Sequence, residues 1–242
     1  MASSVSQLSA SVDALEKEFD IITHNMANVS TVGFKRRCNS FTKAMAAQGG
    51  GPESGADDGA SQGAFDFSQG TLVQTDRTLD VALYGKGFFI LESPGGPLYT
   101  RHGIFQTNQN GQIVDSMGRL VSGTAGPLIV PPNIDVSEVH VDNAGRVTAR
   151  NAPLGQFRIV EFADKENQLL PAGDNCFSPP KDVRPKDAVN VAVRQGYEET
   201  SNVKLVDELV NMIMVSRLYE ANMKLTTVNK DNTSSAIGVA MG

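Results

Sequence analysis

Eight apolar residues near the N-terminus, Val5, Leu8, Val12, Leu15, Phe19, Ile22, Met26 and Val29, follow one another at alternating intervals of three and four positions. Such spacing keeps one apolar line on the same side of a helix and suits a narrow contact with a partner helix. Ser3, Ser4 and Ser6 are candidate N-caps, Asp13, Glu16 and Glu18 fall on the solvent side, and the pattern predicts a helix ending near Asn28. A second helical pattern covers residues 203–228, with Ser201 or Asn202 as its N-cap. Its stripe runs through Leu205, Leu209, Met212, Tyr219 and Met223, flanked by Val206, Val210 and Ile213 and interrupted by Ser216. Beyond Val228 the residues are small and polar, which predicts a frayed tail. Nothing between the two segments has a helical period. The two chain ends are therefore expected to pair with each other or with copies.

The middle of the chain reads as short antiparallel strands and turns. Leu79-Asp80-Val81-Ala82-Leu83 and Gly87-Phe88-Phe89-Ile90-Leu91 flank a Gly85-Lys86-Gly87 turn, and Leu98-Tyr99-Thr100 follows a Pro94-Gly95-Gly96-Pro97 turn. Asn110-Gly111 between Ile104-Phe105 and Ile113-Val114 is a hairpin signal, and a similar unit recurs over residues 139–148. Residues 126–132 read as an extended strand ended by proline. Residues 156–162 alternate with period two and are expected to be half-buried. Before this region, residues 48–63 are Gly, Ala, Ser and acid with almost no apolar surface, the composition of a flexible linker.

Composition narrows the function. The net charge is −6 without a basic tail or stripe, which argues against nucleic-acid binding. No apolar run has the length of a membrane span, and the N-terminus lacks the pattern of a secretory signal, which taken alone points to the cytosol. Cys38 and Cys176 form no CxxC pair and no zinc spacing; two unpaired thiols are expected. His24, His102 and His140 stand apart from any cluster at ligand spacing, so neither a metal nor a cofactor is expected. Asp80 and Asp115 have no evident partner for acid–base work. Lys35, Arg36 and Arg37 read as a solvated basic turn, with attraction to an acidic neighbour as the other reading. A carbohydrate-binding or hydrolytic β module is disfavoured by the absence of Trp and of paired carboxylates.

The segment around the first helix's end resembles the N-terminal signature of the bacterial flagellar rod and hook family, carried here by Asn25, Ala27, Asn28, Thr31, Gly33, Phe34 and Lys35. Gln195, Gly196, Glu199, Ser201, Asn202 and Val203, then Val210, Met212, Ile213, Arg217, Tyr219 and Glu220, are similar to that family's C-terminal signature. A third likeness runs from Gly70-Thr71-Leu72 through residues 79–83 and 87–89 to Tyr99-Thr100-Arg101. The tail resembles the proximal rod members more than the distal ones. The resemblance implies an α+β fold with three parts. Residues 1–34 with 200–242 would form a coiled-coil-type helical assembly domain, residues 35–64 a connecting segment, and residues 65–199 an antiparallel β-rich outer domain. It implies a non-enzymatic subunit that polymerises into the tubular drive shaft carrying torque to the hook. Its partners would be copies of itself, other rod subunits and the flagellar export apparatus. It would lie in the periplasmic part of the basal body, exported without a cleaved signal. The expected assembly interface is Val5, Leu8, Val12, Leu15, Phe19, Ile22, Asn25, Met26, Asn28, Val29, Gly33 and Phe34, with Asn202, Val203, Val206, Leu209, Val210, Ile213, Tyr219 and Met223.

Overall fold

The computed structural model describes residues 2–38, 64–163 and 165–241, with side-chain surroundings described between residues 10 and 228 of those. The linker expected at residues 48–63 lies outside the described residues, as do the side chains of Val5 and Leu8. The first helix, α1 (Ala2–Ala27), ends within a residue of the expected place. Asn28 closes it: its Nδ2 donates to the His24 carbonyl at 2.8 Å, and Thr31 Oγ1 donates to its Oδ1 at 3.1 Å.

The second helix, α2 (Leu205–Met241), starts later and runs further than its apolar pattern predicts. Neither proposed N-cap begins it directly. Ser201 Oγ accepts from Val203 N at 3.2 Å, while the Asn202 carboxamide is committed elsewhere, accepting from Arg36 N at 2.7 Å and donating to the Asp66 carbonyl at 2.8 Å. The residues beyond Val228 are helical rather than frayed; once a helix is nucleated each further residue adds a bond, and no proline interrupts it.

The two helices run antiparallel, with Ser11 near Asn222 and Asn25 near Glu208. They do not form the expected coiled-coil-type domain. Among the described residues their shared core is small: Leu15, Ile22 and Val215, with Met26, Met212 and Tyr219 packed against it. The apolar lines and the contact lines do not coincide. On α1 the inward positions include Glu18 and Asn25, while the seam residue Phe19 is 41% exposed. On α2 the inward line is Glu208, Met212, Val215, Tyr219 and Asn222, so Leu209, Ile213 and Met223 face away. The protein is mainly β with two terminal helices.

The β body is built on a six-stranded antiparallel sheet. Its order is Leu170–Pro171, Cys176–Ser178, Leu98–Thr100, Phe88–Leu91, Ile159–Glu161 and Lys186–Asp187. Because successive side chains alternate across a strand, Phe89 and Leu91 enter one apolar core while Phe88 and Ile90 enter a second on the opposite face. Residues 157–162 obey the same rule: Phe157 and Ile159 join the first core, Val160 and Phe162 the second. The half-buried strand expected there is thus covered on both faces. The strands flanking Gly85-Lys86-Gly87 are not partners; Val81–Gly85 pairs with Val191–Gln195 in a separate ribbon. The extended strand expected over residues 126–132 shrinks to Gly126–Pro127.

Both expected hairpins form, and one turn recurs three times. Asn108, Asp115 and Asp142 each accept with Oδ1 from the backbone N–H groups two and four residues on. Each turn places a left-handed glycine fourth, Gly111, Gly118 or Gly145. The fifth residue returns a side-chain contact to the first: Gln112 to Asn108, Arg119 to Asp115, Arg146 to Asp142. Asp115 and Asp80 therefore do have partners, Asp80 pairing with Arg77 at 2.7 Å. Both are structural.

Candidate assembly site

The chain after α1 is anchored before it reaches the β body. Asn25 is fully buried, and its carboxamide serves the backbone of one residue twice, donating to the Arg37 carbonyl at 2.9 Å and accepting from Arg37 N at 2.8 Å. Gly33 has φ +68° and donates its N–H to the Glu199 carbonyl at 2.7 Å. A Cβ there would lie 2.6 Å from His102 N, so the position requires glycine both for its backbone angle and for close approach. The buried Phe34 ring then lies against His24, centroids 5.5 Å apart.

Lys35, Arg36 and Arg37 are not a solvated turn. Lys35 and Glu199 are both fully buried, with Nζ donating to Glu199 Oε1 at 2.7 Å and to the Ser68 carbonyl at 2.7 Å. Glu199 Oε1 also accepts from Gly70 N at 2.9 Å, and its Oε2 lies 3.4 Å from Arg101 Nη1. Arg101 in turn donates to the Gly85 carbonyl at 2.7 Å and rests over the Phe88 ring. Arg36 Nε donates to Glu208 Oε1, the acidic side chain in the first turn of α2, and Arg36 Nη1 donates to Cys38 Sγ at 3.2 Å. Arg37 covers the Phe65 ring at 5.7 Å.

Burial drives the electrostatics. It pushes the Lys35 ammonium below the usual lysine range, with the Glu199 charge opposing it. Burial likewise lowers Arg101 against the pull of Glu199. At Arg36 burial works against the charge, but the hydrogen bond and charge of Glu208 prevail and raise it. These groups neutralise one another inside the protein, an arrangement that fixes geometry, although Arg37 Nε, Arg101 Nε and Glu208 Oε2 are buried without a hydrogen-bond partner. Among the described residues, no group of His, Cys, Asp and Glu is placed to hold a metal ion, and no helix is long and apolar enough to cross a membrane.

The expected interface residues separate into two sets. Leu15, Ile22, Asn25, Gly33, Phe34 and Val203 are buried, and Val12, Met26, Asn28, Val29, Asn202 and Tyr219 are half-buried in or beside the junction. Phe19, Val206, Leu209, Val210, Ile213 and Met223 are exposed. With Leu205, Met214, Leu218, Leu225 and Val228, the α2 members of this set leave its outer side largely apolar along the described length, broken by Arg217, Glu220 and Lys224. Sequence reading missed Glu208 at the junction and Val215 in the helix–helix core, and took Glu199 and Arg101 only as signature residues. The available signal was Glu208, an acid inside an otherwise apolar helical face.

Comparison with known proteins agrees with this architecture. Residues 194–239 match the flagellar basal body rod FlgEFG protein C-terminal family, and residues 82–149 match the flagellar hook protein FlgE/F/G D1 domain. The chain is 34% identical to the flagellar basal-body rod protein FlgG of Buchnera aphidicola subsp. Schizaphis graminum, across 88% of this chain and 90% of that protein. It is 31% identical to FlgG of Bacillus subtilis, across 89% and 90%, and 29% identical to the rod protein FlgF of Caulobacter vibrioides, across 92% and 91%. With relatives above 30% identity across most of its length, this chain belongs to the flagellar basal-body rod and hook family.

Proposed function

We propose that the chain is a structural subunit of the flagellar basal-body rod, without catalytic activity, that assembles with copies of itself and with other rod subunits. The carrying observation is the outer side of α2. A helix that leaves Val206, Leu209, Val210, Ile213 and Met223 exposed has apolar surface that a neighbouring subunit would remove from water, at roughly 25 cal/mol per Å². Contacts that repeat without closing on themselves generate a helical tube, the geometry a drive shaft carrying torque to the hook needs. In this reading residues 1–34 and 200–242 supply the assembly contacts, residues 35–64 connect, and residues 65–199 face outward. The subunit reaches the periplasmic basal body through the flagellar export apparatus.

The test replaces Ile213, which is 55% exposed, by Asp in the chromosomal copy of a motile cell. Swimming should cease, while the purified variant unfolds within about 0.5 kcal/mol of the parent, as expected for an exposed site. Normal swimming would overturn the assignment of this face.

A further inference from the structure

The three apolar cores do not merge. Among the described residues no helix residue enters either core of the β body, and no β residue enters the helix–helix core of Leu15, Ile22 and Val215. What joins the helix pair to the body is polar and directional: Asn25 to the Arg37 backbone, Gly33 N–H to the Glu199 carbonyl, Arg36 to Glu208, and Lys35 to Glu199. Apolar contacts are non-directional and tolerate small rotations, whereas short buried hydrogen-bonded ion pairs lose their attraction within fractions of an ångström and leave costly unpaired charges. Two such pairs from one short segment, one reaching the body side and one reaching α2, define an angle rather than a single point of attachment.

We propose that Lys35, Glu199, Arg36 and Glu208 are positioning residues that fuse the terminal helix pair to the β body at one fixed angle, making a rigid elbow where the chain would otherwise have a hinge. Arg101 completes the body side: held by the Gly85 carbonyl and the Phe88 ring, it stops the Glu199 carboxylate from following Lys35. Asn202 ties the same two parts from the other direction, bonded to Arg36 N and to the Asp66 and Ser68 carbonyls. The inference concerns one subunit and does not depend on what that subunit assembles into.

Double electron–electron resonance on the full chain tests it. Ketone-directed spin labels are placed at Lys17 on α1 and Met117 on the body, both exposed, with a Tyr84 and Met117 pair as a control inside the body. An excess of unlabelled protein suppresses distances between molecules. The parent should give one narrow Lys17–Met117 distribution. Lys35→Met and Glu208→Ala should each at least double its width while the Tyr84–Met117 distance stays unchanged. Glu208→Gln, whose amide oxygen still accepts from Arg36, should restore the narrow distribution. An unchanged width in both Lys35→Met and Glu208→Ala would overturn the proposal, because the angle would then be held elsewhere. Broadening of the Tyr84–Met117 control as well would also overturn it, because the ion pairs would then support the body itself rather than the joint.

Discussion

The β body and the helix junction solve the same packing problem with opposite materials. In the body, Phe88 is wholly buried with the rings of Phe67, Phe162 and Phe177 edge-on around it, and the sheet is covered on both faces. At the junction the wholly buried groups are Lys35, Asn25, Glu199 and Glu208. An apolar core gains from each area removed from water and accepts many arrangements of similar volume; a buried ionic cluster gains little net and accepts essentially one. The body is therefore the source of stability and the junction the source of geometry. The outer side of α2 is a third material, apolar yet uncovered, and belongs to neither role within one subunit.

That division can be broken or sharpened by substitution. The largest loss should come from Phe88→Ala, about 4 kcal/mol from the cavity left among the aromatic rings, read as a lower urea midpoint at unchanged slope. Lys35→Ala should cost about 3 kcal/mol, mainly by leaving the buried Glu199 with only Gly70 N–H at 2.9 Å and Arg101 at 3.4 Å. A cost for Lys35→Ala well above that of Phe88→Ala would reverse the roles assigned to the two regions. The recurring turn offers a matched pair: Asp115→Ala, at a buried carboxylate, should cost about 2 kcal/mol, and Asp142→Ala, at an exposed one, about 0.5 kcal/mol by the same unfolding assay. Equal values would mean that burial is irrelevant to this turn.

The smallest effect is on pH dependence. Burial lowers His102 below its ordinary value of 6.5, against the pull of Asp115 and Asp80, so the folded protein binds a proton less readily than the unfolded chain. Its contribution is complete above about pH 6.5 and declines as pH falls through that value, because the unfolded state takes up the proton first. His24 shifts in the same direction. Stability should fall modestly from neutrality toward pH 5, and His102→Gln should flatten part of that slope in thermal unfolding.

What could be read in advance follows the range of the interactions. The end of α1 and the two hairpins were legible because Asn28, Asn110-Gly111 and the unit at residues 139–148 act on backbone within a few residues. The two-faced sheet had a local sign in the unbroken apolar run Phe88-Phe89-Ile90-Leu91, which alternation alone cannot distinguish from a one-faced strand. The basic trio carried no such sign. Lys35 meets its carboxylate across 164 residues and Arg36 across 172, and nothing near either residue announces the distant partner. On α2 the apolar stripe mixed the two sides: Met212 and Tyr219 face α1 while Leu205, Leu209 and Met223 are exposed, and Glu208 and Asn222 are more covered than these three.

The span of the Lys35–Glu199 bond also sets an order in time. A chain delivered from its N-terminus presents α1 and the basic trio long before Glu199 and α2 emerge, the two halves of the bond being 164 positions apart. Throughout that interval Lys35 can remain solvated at no cost, and the apolar residues of α1 have no α2 to meet. Closure at Glu199 therefore follows the emergence of every strand of the β body that lies between the two residues.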